Sequence, residues 1–391
     1  MRVAVIGCGY VADYYIRNMA GHPDFEVAGV YDRNETRRDR FAQYFSLPAY
    51  PSLDAALADP DVQLVFNLTN PISHFAVSAA AIRAGKHVYT EKPLGMTLAE
   101  ARELVALAAS HGVRIGAAPC NVLNATCREL GKAIRTGVIG RVRLVYANYD
   151  DGMIAPNRAP WNWRSGSGAP WPAADEFTVG CTYEHAGYAL VPLAALFGPA
   201  RTITAFASLQ VPDKGIPIES MAPDFSVGCI EYDNGVVARL TAGLVAPEDK
   251  SLTVVGDRGS LVVQHLRNDA QKILISSPEP TGSLAAKARR GALRFGVQIA
   301  GWPHYKTYCR PVLPPSGVAG PDKPVDFLLG PQDMLDAIRT GRPHRLSGEL
   351  AVHIVEIVEA LQHPERFGHR RILETTFDWS VLKDERTELA A

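Results

Sequence analysis

The stretch Arg2-Val3-Ala4-Val5-Ile6-Gly7-Cys8-Gly9-Tyr10-Val11-Ala12 constrains this chain more than any other. Val3 to Ile6 are small or β-branched and run straight into a glycine turn. Ala12 to Ala20 then reads as a helix with Tyr15, Ile16 and Met19 on one face. G-x-G-x-x-A between a buried strand and a helix is the arrangement that seats a dinucleotide pyrophosphate. Gly7 makes the tight turn, Gly9 lets the backbone approach the phosphates, and Ala12 permits close helix–strand packing. Cys8, Tyr10 and Val11 complete the loop, and the helix N-terminus offers N–H groups and partial positive charge to the anion. A second strand, Val27–Tyr31, ends on Asp32. An acid there hydrogen-bonds the ribose 2′-hydroxyl and repels a 2′-phosphate, so NAD is the expected cofactor. Arg33 beside it could hold that phosphate, which keeps NADP possible.

Strand and helix signals alternate to about residue 120. A helix Arg37–Phe45 follows Asp32, and a short strand near Ala49-Tyr50 precedes a helix start at Ser52-Leu53-Asp54. Val62–Asn67 is the next buried strand, closed by the turn Leu68-Thr69-Asn70-Pro71. Asn67, Thr69, Asn70, Pro71 and His74 thus follow the third apolar strand, where the cofactor ribose and nicotinamide pass. Helix Ser73–Ala84 stops at Gly85, and strand Lys86–Thr90 leads into Glu91-Lys92-Pro93. Thr97-Leu98-Ala99-Glu100 is a capping box opening a helix to about Ser110, and Val113–Gly116 is a sixth strand. Strands separated by helices imply a parallel sheet with helices on both faces, a Rossmann domain.

The character changes after residue 140. Arg141–Asp150, Arg201–Gln210, Phe225–Asp233, Val236–Leu244, Leu252–Val255, Leu261–Gln264 and Lys272–Ser276 read as strands. Asn234-Gly235 is a strong hairpin signal, since both residues tolerate positive φ. Strands without intervening helices give an antiparallel sheet, with helices near Ala125–Thr136 and Cys181–Phe197 covering one face. Helices Pro331–Thr340 and Ser347–Gln362 close the chain, and Leu350, Ile354, Ile357, Val358 and Leu361 form an apolar core stripe.

Composition excludes several functions. At 391 residues, 47% hydrophobic and 21% charged, the chain is ordinary soluble globular protein, long enough for two domains. A net charge of −1 leaves no electrostatic footprint for nucleic acid or membrane. The first strand begins too early for a signal peptide to precede it, and no run approaches the roughly 18 apolar residues of a membrane helix. Cysteines 8, 120, 127, 181, 229 and 309 show no paired spacing and read as reduced thiols in a cytoplasmic protein. No cluster has metal-ligand spacing, so no metal is expected.

Gly7-Cys8-Gly9-Tyr10-Val11-Ala12, Ala84-Gly85-Lys86-His87-Val88-Tyr89-Thr90-Glu91-Lys92-Pro93 and Gly256-Asp257-Arg258-Gly259-Ser260-Leu261 resemble the Gfo/Idh/MocA oxidoreductases, named for glucose–fructose oxidoreductase and inositol dehydrogenase. Met334–Pro343 echoes the late helix of that family. The resemblance covers nearly the whole chain. It implies an α/β fold: a Rossmann NAD(P)-binding domain over 1–120, then over 121–391 an α/β domain with a large open, mostly antiparallel sheet for substrate binding and oligomerisation. It also implies NAD(P)-dependent oxidation or reduction of a sugar, sugar nucleotide or cyclitol at a hydroxyl or keto carbon. An exposed sheet face would suit pairing into a homodimer or homotetramer. Two alternatives share the fold: an NAD-dependent glycosidase that oxidises its substrate transiently, and a non-catalytic ligand sensor.

Lys92 ends a parallel strand at its carboxyl edge, where ligands of open α/β sheets sit. A lysine there can hold and polarise a substrate oxygen, and Glu91 can orient it. The family commonly carries Asp-x-x-x-His before a helix-ending glycine. Counting back from Gly198 puts Glu184 and Tyr188 at those places. They are i and i+4, so they share a face and can both reach the substrate. Tyr188 would then transfer the proton, and as a natural acid it favours ketone reduction. His185 is the rival, about 100° round the helix with a pKa better suited to a general base. Trp163 and Arg164 of Trp161-Asn162-Trp163-Arg164 resemble a loop that reaches the sugar pocket in relatives, with an aromatic loop packed on the sheet as the equal alternative, and Asn121 after the sixth strand is expected to face the substrate. Lys287-Ala288-Arg289-Arg290 with Arg294 reads first as a solvated loop, then as a grip for a phosphorylated or nucleotide-linked substrate or for a partner subunit. His304, Tyr305, Lys306 and Tyr308 could border the pocket.

Overall fold

A computed structural model of the chain describes residues 1–154, 160–276, 287, 305–311 and 325–383. Five parallel strands form the first sheet: β1 (Arg2–Ile6), β2 (Glu26–Tyr31), β3 (Leu64–Asn67), β4 (His87–Thr90) and β5 (Ile115–Ala117), in the order β2-β1-β3-β4-β5. Their apolar runs are buried because helices cover both faces: α1 (Ala12–Asn18), α2 (Glu35–Phe45), α3 (Leu53–Ala58), α4 (His74–Arg83) and α5 (Leu98–Ser110). The order reverses between β1 and β3, and such a switch point opens a crevice at the carboxyl ends of the strands. Ser52 and Thr97 cap α3 and α5 through their side-chain oxygens. The strand expected near Ala49-Tyr50 is a single bridge from Ala49 to Val30, so this sheet has five strands rather than six. One bridged pair is too short a pairing to make a strand of it.

The second sheet contains β6 (Val142–Asp150), β7 (Ala200–Ser208), β8 (Phe225–Tyr232), β9 (Val237–Gly243), β10 (Leu252–Gly256), β11 (Gly259–Val263), β12 (Ile273–Ser276), β13 (Lys306–Cys309) and β14 (Arg370–Ile372). Their order is β13-β12-β11-β10-β6-β9-β8-β7-β14, and every neighbouring pair is antiparallel except β6 with β9. Alternation along β6 buries Val145, Ala147 and Tyr149 on one face and leaves Leu144 and Tyr146 exposed on the other. The edge strands β13 and β14 escape sequence reading because they are short and polar.

Helices α6 (Ala125–Arg135), α7 (Ala173–Val179), α8 (Cys181–His185), α9 (Gly187–Phe197), α10 (Leu329–Thr340), α11 (Gly348–Gln362) and α12 (Ser380–Lys383) complete the described elements. The apolar stripe of α11 joins the two sheets. A Cβ on Gly348 would stand 2.6 Å from Val105 of α5, and one on Gly228 of β8 would stand 2.6 Å from Leu361. Glycine at both places lets the helix sit against both units. The helix expected over Cys181–Phe197 is broken at Ala186 into α8 and α9. No helix among the described residues is long and apolar enough to cross a membrane.

Candidate active site

A cleft of about 410 Å³ opens at the carboxyl ends of β1, β3 and β4. Gly7 forms its floor with φ +101°, and a Cβ there would lie 2.5 Å from the carbonyl oxygen of Leu68. That close crossing of β1 and β3 admits only glycine. A Cβ on Gly9 would meet nothing within 4 Å, so the backbone faces open space of the kind a diphosphate needs. Cys8 and Ala12 are buried in the core behind the turn, while Tyr10 and Val11 line the cleft. Asp32 lies at the far wall, where its carboxylate accepts from the backbone N–H of Cys8 (2.9 Å) and of Asn34 (2.8 Å). Arg33 and Arg37 line the same end, and Arg37 stands 3.7 Å from Asp32.

Thr69, Asn70, Pro71 and His74 line the cleft beyond β3, but Asn67 lies beneath it. The Asn67 amide donates to His74 O (3.0 Å) and Ser78 Oγ (2.9 Å), and its oxygen accepts from Thr69 Oγ1 (2.7 Å). It shapes the loop rather than facing a ligand. His74 is fully buried with ring nitrogens 2.7 Å from Pro93 O and 3.0 Å from Thr69 O, and burial holds its pKa below the usual value.

Lys92, Glu91, Glu184 and Tyr188 converge at the inner end. Lys92 Nζ is ion-paired with Glu184 Oε2, while Glu91 accepts from the buried Tyr15 hydroxyl (2.8 Å) and from the Lys92 backbone N–H (3.2 Å). Burial opposes charge on Lys92, but Glu184, together with Tyr188, Glu91 and Glu176, outweighs it and holds the ammonium well above the ordinary lysine range. Burial pushes Tyr188 up, with Arg267 and Lys92 pulling the other way, so its phenol is protonated at neutral pH.

Tyr188 is placed by a backbone defect. Pro192 lies inside α9 and has no N–H for the carbonyl of residue 188, one helical turn back. The Asn121 side-chain amide fills the gap, donating to Tyr188 O at 2.8 Å and to Leu266 O at 3.5 Å. Asn121 is therefore outside the cleft lining, engaged with main chain. His185 is also outside it. Its Nδ1 lies 2.7 Å from Asp151 Oδ2, and its Nε2 is paired with Glu176 Oε1. Burial lowers its pKa, but Glu176 and Asp151 overcome that and push it up to about 10.

The outer wall is a strap over residues 160–172. Pro170, Trp171 and Pro172 line the cleft, with Trp163 packed behind Trp171 at 5.6 Å. Arg164 is exposed and donates to the carbonyls of Trp161 (3.0 Å) and Trp163 (2.9 Å), so neither Trp163 nor Arg164 lines the cleft. Buried Asp13 of α1 ties the strap down, accepting from Ser165 Oγ (2.8 Å), Ser167 Oγ (2.6 Å) and Ser167 N (2.8 Å). Trp171, Asp175, Glu176 and Arg37 line the cleft without having been singled out in the sequence. Asp175-Glu176, close ahead of Glu184, was the one available signal. Tyr305, Lys306 and Tyr308 lie at or on the edge strand β13, away from the cleft lining. Lys287 is exposed, and 288–290, Arg294 and His304 fall outside the described residues. Among the described residues no group of three or more His, Cys, Asp or Glu could hold a metal.

Comparison with known proteins bears on this geometry. A family model described as "Oxidoreductase family, NAD-binding Rossmann fold" matches residues 1–118, and one described as "GFO/IDH/MocA C-terminal domain" matches residues 127–262. An uncharacterised oxidoreductase of Synechocystis sp. is 27% identical over 277 residues, 67% of this chain and 71% of that protein. Trans-1,2-dihydrobenzene-1,2-diol dehydrogenase of Mus musculus is 26% identical over 270 residues, 68% of this chain and 75% of its own. Among solved structures, UDP-N-acetylglucosamine 3-dehydrogenase from Acidithiobacillus ferrooxidans superposes with a TM-score of 0.67 at 20% identity, covering 93% of this chain and 96% of that one. Aldose-aldose oxidoreductase from Caulobacter crescentus gives a TM-score of 0.71 at 19% identity, covering 95% and 99%. At such identities these superpositions show the shared fold.

Proposed function

The chain belongs to the Gfo/Idh/MocA family of NAD(P)-dependent oxidoreductases, and we propose that it moves a hydride between nicotinamide and a sugar-type hydroxyl or keto carbon. One observation carries this reading: Lys92 and Tyr188 line the inner end of the cleft whose floor is the Gly7–Gly9 turn. The names of the solved relatives, a sugar-nucleotide dehydrogenase and an aldose oxidoreductase, support a carbohydrate substrate.

The Gly7–Ala12 turn would hold the diphosphate and Asp32 the adenosine ribose, with Thr69, Asn70 and Pro71 beside the nicotinamide half. Asp32 is fixed by two backbone N–H groups, so a carboxylate stands where a 2′-phosphate would lie, which favours NAD over NADP. When bound, the nicotinamide ring supplies or accepts the hydride. Lys92 keeps its charge through the Glu184 pair and polarises the substrate oxygen. Tyr188, protonated at neutral pH, donates the proton to that oxygen, which favours ketone reduction. His185 is held between two carboxylates and serves as a charged anchor for Glu176. Residues 1–120 form the cofactor domain in this reading and 121–391 the substrate domain. Exposed Leu144, Tyr146 and Phe206 on the second sheet support pairing of subunits, and six free cysteines suit a reducing cytoplasm.

The test is nicotinamide absorbance with purified protein, NAD(H) or NADP(H), and a panel of sugars, ketosugars, cyclitols and sugar nucleotides. Turnover in wild type should fall about 100-fold or more in both Lys92→Ala and Tyr188→Phe. Full activity in Tyr188→Phe removes the tyrosine assignment.

A further inference from the structure

The loop after β11 brings a cation to the back of the Tyr188 ring. The guanidinium carbon of Arg267 lies 4.5 Å from the Tyr188 ring centroid, and Tyr149 stacks on Tyr188 at 5.1 Å with the planes 14° apart. Phe327 lies 5.8 Å from the same guanidinium. Arg267 Nε is buried without a hydrogen-bond partner and no ion pair among the described residues involves this arginine, though the Asp151 carboxylate and the Tyr149 hydroxyl favour its charge. Its position is fixed: Leu266 N donates to Lys250 O at 3.0 Å, and the Asn121 amide that holds Tyr188 O also reaches Leu266 O. One side chain therefore sets the spacing between the loop carrying Arg267 and the helix carrying Tyr188.

We propose that Arg267 is a positioning residue for the reaction, whose stacked guanidinium holds the Tyr188 ring in place and stabilises the phenolate left when the tyrosine gives up its proton. The inference rests on Tyr188 as the proton-transfer residue. A phenolate created in a buried site needs a cation that is not already neutralised. Lys92, the other cation at hand, is shared with Glu184. Arg267 forms no direct ion pair of that kind, the Asp151 carboxylate and the Tyr149 hydroxyl favouring its charge without an ion-pair contact, and its guanidinium lies over the ring itself, where a desolvated cation–π contact is at its strongest. The charged and titratable groups facing Tyr188 are Lys92 and Glu91 at the end of β4, Glu184 of α8, Tyr149 of β6, Tyr89 of β4 and Arg267. Burial pushes the phenol up, and Arg267 is the first of the two cations that oppose it.

The test needs no substrate. Protein carrying [13Cζ]tyrosine is titrated by NMR, and the Tyr188 resonance is identified by its loss in Tyr188→Phe. In Arg267→Gln the Tyr188 titration should move to higher pH by about one unit or more, equivalent to a tenfold change in proton affinity. Arg267→Lys, which keeps the charge, should return it toward wild type, and NADH binding by fluorescence checks the fold. Arg267→Met gives the same comparison if the glutamine variant does not fold. A Tyr188 titration identical in wild type and the neutral variants, including one that stays protonated to the top of the range in all, overturns the proposal. The two ideas fail separately: wild-type turnover in Tyr188→Phe would remove the proton-transfer reading whatever the titration shows.

Discussion

The strap over residues 160–172 should govern how fast the cofactor leaves. It forms the outer wall of the cleft through Trp171 and its flanking prolines, and Asp13 is its anchor on the dinucleotide helix. Three donors converge on that one buried carboxylate: two serine hydroxyls and the Ser167 backbone N–H, at 2.6 to 2.8 Å. A hydrogen bond to a charged acceptor contributes about 1.5–3 kcal/mol, and an N–H left buried without a partner costs a similar amount. The serine hydroxyls can turn to water once the strap lifts, so the closed state should lose about 3 kcal/mol in Asp13→Ala, not the sum of three bonds. At 1.4 kcal/mol per factor of ten, the open population rises about 100-fold. If the cofactor leaves only through the open strap, NADH dissociation, followed by fluorescence after mixing with excess NAD, should accelerate by about the same factor. Asp13→Asn keeps one acceptor and should fall between. Dissociation within twofold of wild type in Asp13→Ala would refute the latch, and would mean the cofactor leaves without lifting the strap.

Two further outcomes follow from local geometry. His185 has its pKa raised to about 10 by Glu176 and Asp151, against an ordinary value of 6.5. Its contribution to stability is therefore complete below about pH 6.5 and lost as pH rises toward 10. The urea midpoint should drop across that window in wild type and change less in His185→Gln; parallel curves would count against the buried ion cluster. Gly7→Ala and Gly9→Ala should part company. Gly7 has positive φ and a backbone oxygen 2.5 Å from any Cβ, so its substitution should destabilise the fold by about 2 kcal/mol or more. A methyl at Gly9 has room, so that variant should melt like wild type yet bind NADH at least tenfold more weakly; equal NADH affinity would place the diphosphate elsewhere.

The Rossmann half could be read from the sequence because each of its signals is local. Val3–Ile6 is a continuous apolar run, Gly7 sits at a crossing only glycine tolerates, and Thr97 caps its own helix. Strands β6 to β10 were equally readable, since their alternation reports one covered and one more open face. What escaped depends on partners far along the chain. Asn121 follows β5 like a ligand-facing residue, yet its amide is taken by a carbonyl that Pro192 leaves unpaired some 70 residues later. His185 looks like a free base until Asp151 and Glu176 close on its two nitrogens. Arg267 stands in a polar loop whose sequence says nothing of the tyrosine above which it folds.

Glu184 and Tyr188, four residues apart, face one cleft while His185, about 100° round, turns to Asp151 and Glu176; what is unusual is Pro192, which leaves the carbonyl of Tyr188 without its helix partner. In an unbroken helix the i, i+4 pair would be held by the ladder alone, and the residue 188 carbonyl would be tied to residue 192. With Pro192 in place, Asn121, in the segment that leaves β5 at the boundary of the two domains, donates to that carbonyl, so the backbone under Tyr188 is pinned where the first sheet hands over to the second domain. Lys92 reaches across from β4 to Glu184, tying α8 to the same unit. The two chemical groups are thus each referenced to the sheet that would carry the nicotinamide, although one of them resides on a helix beneath the second sheet. The hydrogen bond at Tyr188 O is thus made to the segment that joins the two domains, which suits the proposed reaction, where a hydride donor and a proton donor would have to agree to within a fraction of an ångström.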